Sequence, residues 1–202
     1  MTAPNAAPQD YDSRTALVVV DVQNDFAHPE GNLYVRGGDE AIAAVNREID
    51  AATESGALVV YTQDWHPPST PHFEKDGGVW PTHCVQDTWG ALLHEALRVV
   101  DGPTVRKGTA GEDGYSGFSV RDPESGAEAP TELEAILRDR DINRIVVVGL
   151  AQDVCVKETV LDARRLGYDT TLVPDATRPV DLQPGDGDRA LGEMAAAGAA
   201  IP

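Results

Sequence analysis

The chain has 202 residues, and its 34 Asp and Glu against 16 Lys and Arg give a formal charge of −18. Lysine occurs only as Lys75, Lys107 and Lys157, so no basic stripe exists to neutralise phosphates, which argues against nucleic acid and anionic membrane surfaces as partners. With 41% hydrophobic and 25% charged residues, the composition is that of a globular protein large enough to bury a substantial core.

Residues 1–14 are polar and contain Ala and Pro, with neither a basic n-region nor an apolar h-region. They are expected to be disordered, and the protein cytoplasmic. One domain is expected over 15–202. Residues 15–21 read TALVVVD, a β-branched run of the kind buried on both faces of a parallel sheet. Asp39 is read as the cap of a helix carrying Ile42, Val45, Ile49 and Ala52 at helical spacing. Gly56 ends it before a second strand at 57–62. Residues 64–83 form a long loop with four Pro and two Gly, and long loops at strand ends usually carry function.

Helical spacing resumes over about 87–100, with Leu92, Leu93, Ala96 and Leu97 on one side. A short strand at 104–106 leads to Lys107, and 108–129 read as loop. Pro130 opens a helix to about Arg140, and RIVVVG at 144–149 is the strongest central strand. A helix over 153–166 holds Cys155 in its first turn, followed by a strand at 169–173 and an Ala-rich helix over 187–197. Strands alternating with helices predict an α/β fold: a doubly wound, mainly parallel sheet with helices on both faces, binding ligands at the carboxyl ends of its strands. The longest apolar run, 145–151, is far too short to cross a bilayer.

Asp21, Lys107 and Cys155 each fall at or just beyond a predicted strand, so a parallel sheet brings them to one edge. A cysteine at a helix start has its thiolate favoured by the helix dipole, and a nearby ammonium favours it further. A carboxylate beside it can take the thiol proton and return it to a leaving amine. Each residue has a plainer reading: an Asp at a strand end often only caps a loop, and free Cys is commonly a buried packing residue. Convergence favours chemistry.

His66, His72 and His83 lie within 18 residues, with Asp64 two before the first. Imidazole and carboxylate together suit one divalent first-row metal, with zinc ranked first and iron or manganese also compatible. A D-x-H pair puts both side chains on one side of a strand end, and the loop can fold the later histidines back. His28 and His94 are read as non-ligands.

These motifs resemble the nicotinamidase (pyrazinamidase-type) branch of the isochorismatase-like cysteine hydrolases, from about Thr15 to Arg178. VVVDVQNDF at 18–26, DWH at 64–66, WPTHC at 80–84, RKG at 106–108 with YSGF at 115–118, and GLAQDVCV at 149–156 carry the likeness. The resemblance implies a three-layer fold and a small-molecule amide substrate, nicotinamide, converted to nicotinate and ammonia through a cysteine thioester. It assigns Cys155 as nucleophile, Asp21 as acid/base, Lys107 as the activating cation, and Asp64, His66, His72 and His83 as metal ligands. It further implies a cis peptide bond between Leu150 and Ala151, an oxyanion hole from the Ala151 and Cys155 amides, ring-binding walls at Phe26 and Trp80, and a structural role for Cys84. NAD salvage would follow from that substrate.

Two other readings remain open. A sibling cysteine hydrolase acting on a carbamoyl or ureido compound, or on maleamate, shares the Asp, Lys and Cys but generally lacks the metal loop. A non-catalytic metal-binding module on the same fold is the other, since a fold does not guarantee activity. A homo-oligomer is compatible with the sequence, which does not decide the oligomeric state.

Overall fold

The computed structural model describes residues 7–202. A five-stranded parallel sheet runs in the order β3 (Thr104–Lys107), β2 (Leu58–Asp64), β1 (Thr15–Val20), β6 (Arg144–Leu150), β7 (Asp169–Arg178). The chain moves outward from β1 to β3 on one side and resumes beside β1 with β6. The order therefore reverses between β1 and β6, the place where open α/β sheets bind ligands. The fold is the doubly wound α/β arrangement that the alternation of elements predicts.

Strands β1 and β6 are buried along nearly their whole length, because helices cover both faces. Leu17 and Val19 point to the layer holding Ile42, Val45 and Ile49 of α2 (Gly38–Glu54). Ala16, Val18 and Val20 point to the other, built on Leu133 and Leu137 of α3 (Leu133–Arg138), Val160 of α4 (Lys157–Arg165) and Met194 of α5 (Asp186–Ala196). The period-two alternation of side chains thus divides β1 between two cores. The remaining helix, α1 (Asn24–Ala27), is a single turn just past the end of β1.

Several expectations are corrected. The segment 87–100 is not a helix: one short 3-10 turn, Trp89–Ala91, is followed by irregular chain. Its backbone is committed elsewhere. The Leu92 carbonyl accepts from Asn24 N–H (2.9 Å), His94 N–H donates to Val22 (2.9 Å), and the Ala91 carbonyl accepts both the Gln23 and Gln63 amides. Long-range partners replace the i to i−4 ladder, and Leu92 is left exposed. Residues 108–129 contain most of an antiparallel hairpin, β4 (Ser119–Arg121) with β5 (Glu128–Pro130), so Pro130 ends a strand and the helix after it begins at Leu133. Cys155 lies in a π-helical turn, Gln152–Val156, ahead of α4 rather than in the first turn of that helix. Strand β7 runs five residues past its expected end at Val173. Gly37, in the left-handed region, caps α2, and Asp39 accepts the Tyr34 hydroxyl at 2.6 Å.

The expectation of disorder over 1–14 lies partly outside the described residues, as 1–6 do. Over the rest the chain is seated: Tyr11 Oη donates to buried Glu48 at 2.7 Å, Gln9 N–H to the same oxygen at 3.1 Å, and Arg144 to the Asp10 carbonyl at 3.0 Å. No helix among the described residues is long and apolar enough to cross a membrane.

Gly149 faces Val20 in the β1–β6 pairing with φ +110°. A Cβ there would overlap the Val20 backbone. Gly149→Ala is expected to destabilise the protein by on the order of 3 kcal/mol through overpacking and backbone strain, read as a lower denaturant midpoint. An unchanged midpoint would show that the two strands can separate without cost.

Candidate active site

Asp64 and Lys107 are register partners at the ends of β2 and β3, and Asp21 follows β1 directly. Parallel pairing therefore puts the three side chains together before any loop is considered. Lys107 is fully buried, and its ammonium donates to Asp21 Oδ2 (2.8 Å), Asp64 Oδ1 (2.5 Å) and the Gly114 carbonyl, which occupies all three of its protons. Burial disfavours its charge, but the two carboxylates outweigh burial and raise its pKa well above the usual value. Asp21 accepts a further bond from Thr62 Oγ1 at 2.5 Å. Burial pushes its carboxyl up to about 6, against the pull of Lys107.

The Cys155 sulfur lies 4.0 Å from the Lys107 nitrogen and within 4.8 Å of a carboxylate oxygen of Asp21. Burial raises the thiol pKa well above its ordinary value, with Lys107 pulling the other way and Asp21 and Asp64 adding to the rise. Burial thus favours the thiol form, and the Asp21 carboxylate stands beside the sulfur as a proton acceptor. The Leu150–Ala151 peptide is cis, and the Ala151 carbonyl accepts from Val154 and Val156, closing the turn that presents Cys155.

The three histidines come together as expected, their ligand nitrogens within 4.8 Å of one another. Each is placed by a different device. His66 continues β2 and pairs with the following chain through His66 N–H to Cys84 O (3.0 Å) and Gln86 N–H to His66 O (2.8 Å), which aligns it beside His83. His72 and Trp80 stand on a small closed loop held by Glu74 N–H to Trp80 O (2.7 Å) and Gly78 N–H to Phe73 O (2.8 Å). His83 Nδ1 donates to the Pro81 carbonyl (2.7 Å), and His72 Nδ1 to Asp113 Oδ1 (2.6 Å), so both Nε2 atoms are deprotonated in the neutral rings. Asp64 Oδ2, the oxygen not used by Lys107, lies 3.9 Å from Nε2 of both His66 and His83.

This donor set fits a divalent metal ion. Neither nitrogen of the buried His66 ring has a hydrogen-bonding partner among the described residues, a cost that coordination removes. Burial lowers the His66 pKa to about 3 and that of His83 below the ordinary value, which keeps both imidazoles neutral as ligands must be. A second cluster of potential ligands, Asp21, Asp64 and Cys155, is not a metal site, because the Lys107 ammonium stands among them.

Between the two clusters lies a small, partly open pocket with mainly apolar walls. Phe26 and Trp80 line it as expected, together with Cys155, Ala151 and His83. Sequence reasoning assigned no role to Tyr115, which also lines it and accepts Trp80 Nε1 at 3.0 Å. Gln23 was missed too: its side chain bonds both the N–H and the carbonyl of Asp64, at 2.8 and 2.7 Å. Both stand inside segments that carry the resemblance, VVVDVQNDF and YSGF, and that position is the available signal. Cys84 is fully buried with its pKa raised by burial, as a structural thiol.

The parallel sheet thus gathers a cysteine, a carboxylate and a buried lysine at its switch point, an arrangement suited to a hydrolase. Residues 15–201 match the isochorismatase domain. The chain is 39% identical to the nicotinamidase of Escherichia coli K12 over 203 aligned residues, covering 92% of this chain and 93% of that one. The zinc complex of a Pyrococcus horikoshii pyrazinamidase superposes with a TM-score of 0.83 at 39% identity, covering 94% of this chain and 98% of its own. A nicotinate complex of PnC1 from L. infantum gives 0.85 at 33% identity, with 96% of both chains covered. The chain belongs to the isochorismatase family, and within it the resemblance is to the nicotinamidases.

Removing the ammonium would leave Asp21 and Asp64 facing one another without solvent. Lys107→Met is expected to lower the unfolding free energy by about 3–5 kcal/mol, measured by urea titration. A midpoint equal to that of the parent protein would mean the pair is not held by this cation.

Proposed function

We propose that this chain hydrolyses nicotinamide to nicotinate and ammonia through a thioester on Cys155. The observation that carries this reading is the juxtaposition, across one small cavity, of the Cys155 sulfur beside Asp21 and an all-buried His66–His72–His83 cluster. The relatives named nicotinamidase and pyrazinamidase support the substrate class.

In the first step the Cys155 sulfur attacks the carboxamide carbon while its proton passes to Asp21. The Ala151 and Cys155 amides receive the developing oxyanion. Asp21 then protonates the departing nitrogen, ammonia leaves, and the thioester forms. Asp21, ionised again, accepts a proton from water as the water attacks the thioester carbon, then passes it to the departing Cys155 sulfur, which frees the acid and restores the thiol. Lys107 keeps its charge throughout. It stabilises the ionised state of Asp21 between steps and fixes the carboxylate next to the sulfur. Its own role in activating Cys155 is therefore mainly positional.

Phe26 and Trp80 flank the cavity as apolar walls for a flat ring, with the Trp80 indole held by Tyr115. Asp64, His66, His72 and His83 would hold the metal, zinc by first preference. When bound it would supply a Lewis-acidic centre for the ring nitrogen and for ordering water. The relatives that act on ureido or carbamoyl compounds need no such cluster, so the buried histidines weigh against that reading, and the intact Cys155–Asp21–Lys107 set weighs against a module without activity. Cytoplasmic NAD salvage is the setting that this substrate implies.

Purified protein is expected to release ammonia from nicotinamide in preference to ureido compounds and maleamate, and Cys155→Ala to cut that release by at least about a thousandfold. Turnover retained by the alanine variant would rule out the thioester. Treatment with a strong chelator followed by gel filtration is expected to reduce activity, and a divalent ion to restore it. Full activity in protein shown by elemental analysis to lack stoichiometric divalent metal would remove the four ligand assignments.

A further inference from the structure

Resting on the metal reading above, we propose that Asp113 is a positioning residue that sets the affinity of the His72 ligand for the ion. His72 lies on the small closed loop tied at Glu74 and Gly78, whereas His66 continues β2. It is also the one whose ring is bonded by a side chain from another part of the chain, Asp113. Asp113 Oδ1 accepts His72 Nδ1 at 2.6 Å, with the His72 side chain 3% exposed and that of Asp113 18%. A carboxylate has no proton to give, so the bond places the hydrogen on Nδ1, leaves the Nε2 lone pair free, and locks the ring rotation.

Asp113 is itself held by backbone bonds to Arg121, Asp113 N–H to Arg121 O at 2.8 Å and Arg121 N–H to Asp113 O at 2.9 Å, next to the β4–β5 hairpin. The aspartate is thus anchored independently of the loop that it orients. It immediately precedes Gly114, whose carbonyl receives Lys107, and Tyr115, which holds Trp80. Thr70 Oγ1 donating to the Gly111 carbonyl at 2.7 Å ties the same two loops a second time. One short stretch therefore braces the metal loop from one end and the catalytic lysine from the other.

The test is the affinity of the full-length protein for Zn²⁺, measured by competition with a chromophoric chelator after the native metal is stripped. Asp113→Leu keeps the bulk and removes the acceptor, and is expected to weaken binding about 10- to 100-fold. Asp113→Asn keeps an acceptor and is expected to lose less. Because the contacts to Arg121 are backbone bonds, the thermal midpoint of stripped protein should be nearly unchanged in both. In a His72→Ala background, Asp113→Leu should cause no further loss. Parent-like affinity in Asp113→Leu, or an equal added loss in the His72→Ala background, would overturn the proposal. Should the parent protein bind no Zn²⁺, the metal reading itself fails and takes this one with it. Parent binding with an unaffected variant removes only the role of Asp113. If Asp113→Leu does not fold, an Asp113→Asn affinity below that of His72→Ala likewise overturns it.

Discussion

A single ammonium, that of Lys107, stands where parallel strands deliver two carboxylates into a space closed to water. An isolated buried charge is costly, and so is a pair of like charges. The arrangement persists because each of the three groups supplies what the others lack, and because the Gly114 carbonyl takes the remaining proton of the lysine. The consequence reaches in two directions. On one side Asp21 is held with an oxygen beside the Cys155 thiol. On the other, Asp64 is divided between its two oxygens, one committed to the cation and one turned toward His66 and His83.

That division makes the two halves of the site one object. Asp64 is shared by the Asp21–Lys107–Cys155 cluster and the histidine cluster, so neither can shift without moving the other. The glycine after Lys107 tightens the link: Gly108 is in the left-handed region with φ +68°, and any side chain there would run into the His66 ring. Gln23 adds a clamp by reading both backbone groups of Asp64, and Thr62 fixes the oxygen of Asp21 that Lys107 leaves unbonded. The preorganisation that catalysis requires therefore resides in a dense set of short polar contacts at strand ends, with the apolar walls closing around it.

Most of the site was legible in the sequence because its residues sit next to strong local signals. A β-branched run ending in Asp21, a strand ending in D-x-H, and a second central strand before Cys155 each announce their own strand end. A parallel sheet then forces those ends to one edge. The segment 87–100 failed for the opposite reason. Its leucine spacing is genuinely helical, but its carbonyls and amides are claimed by Val22, Gln23, Asn24 and Gln63, which are distant in sequence and near only after folding. The hairpin within 119–130 was missed because its strands are three residues each and carry little apolar pattern.

By itself the sequence placed the strands of the parallel sheet and brought Asp21, Lys107, Cys155 and the three histidines forward as candidates, since these depend on residue type and on periodicity along the chain. Only the tertiary structure decided the burial that raises the Cys155 pKa, the sharing of Asp64 between two clusters, and the contacts made by Tyr115, Gln23 and Asp113. Those properties are set by burial and by distances of a few ångströms between residues up to 86 positions apart. Desolvation and hydrogen bonding act through space, and the chain pattern carries no record of them until the sheet has brought the partners together.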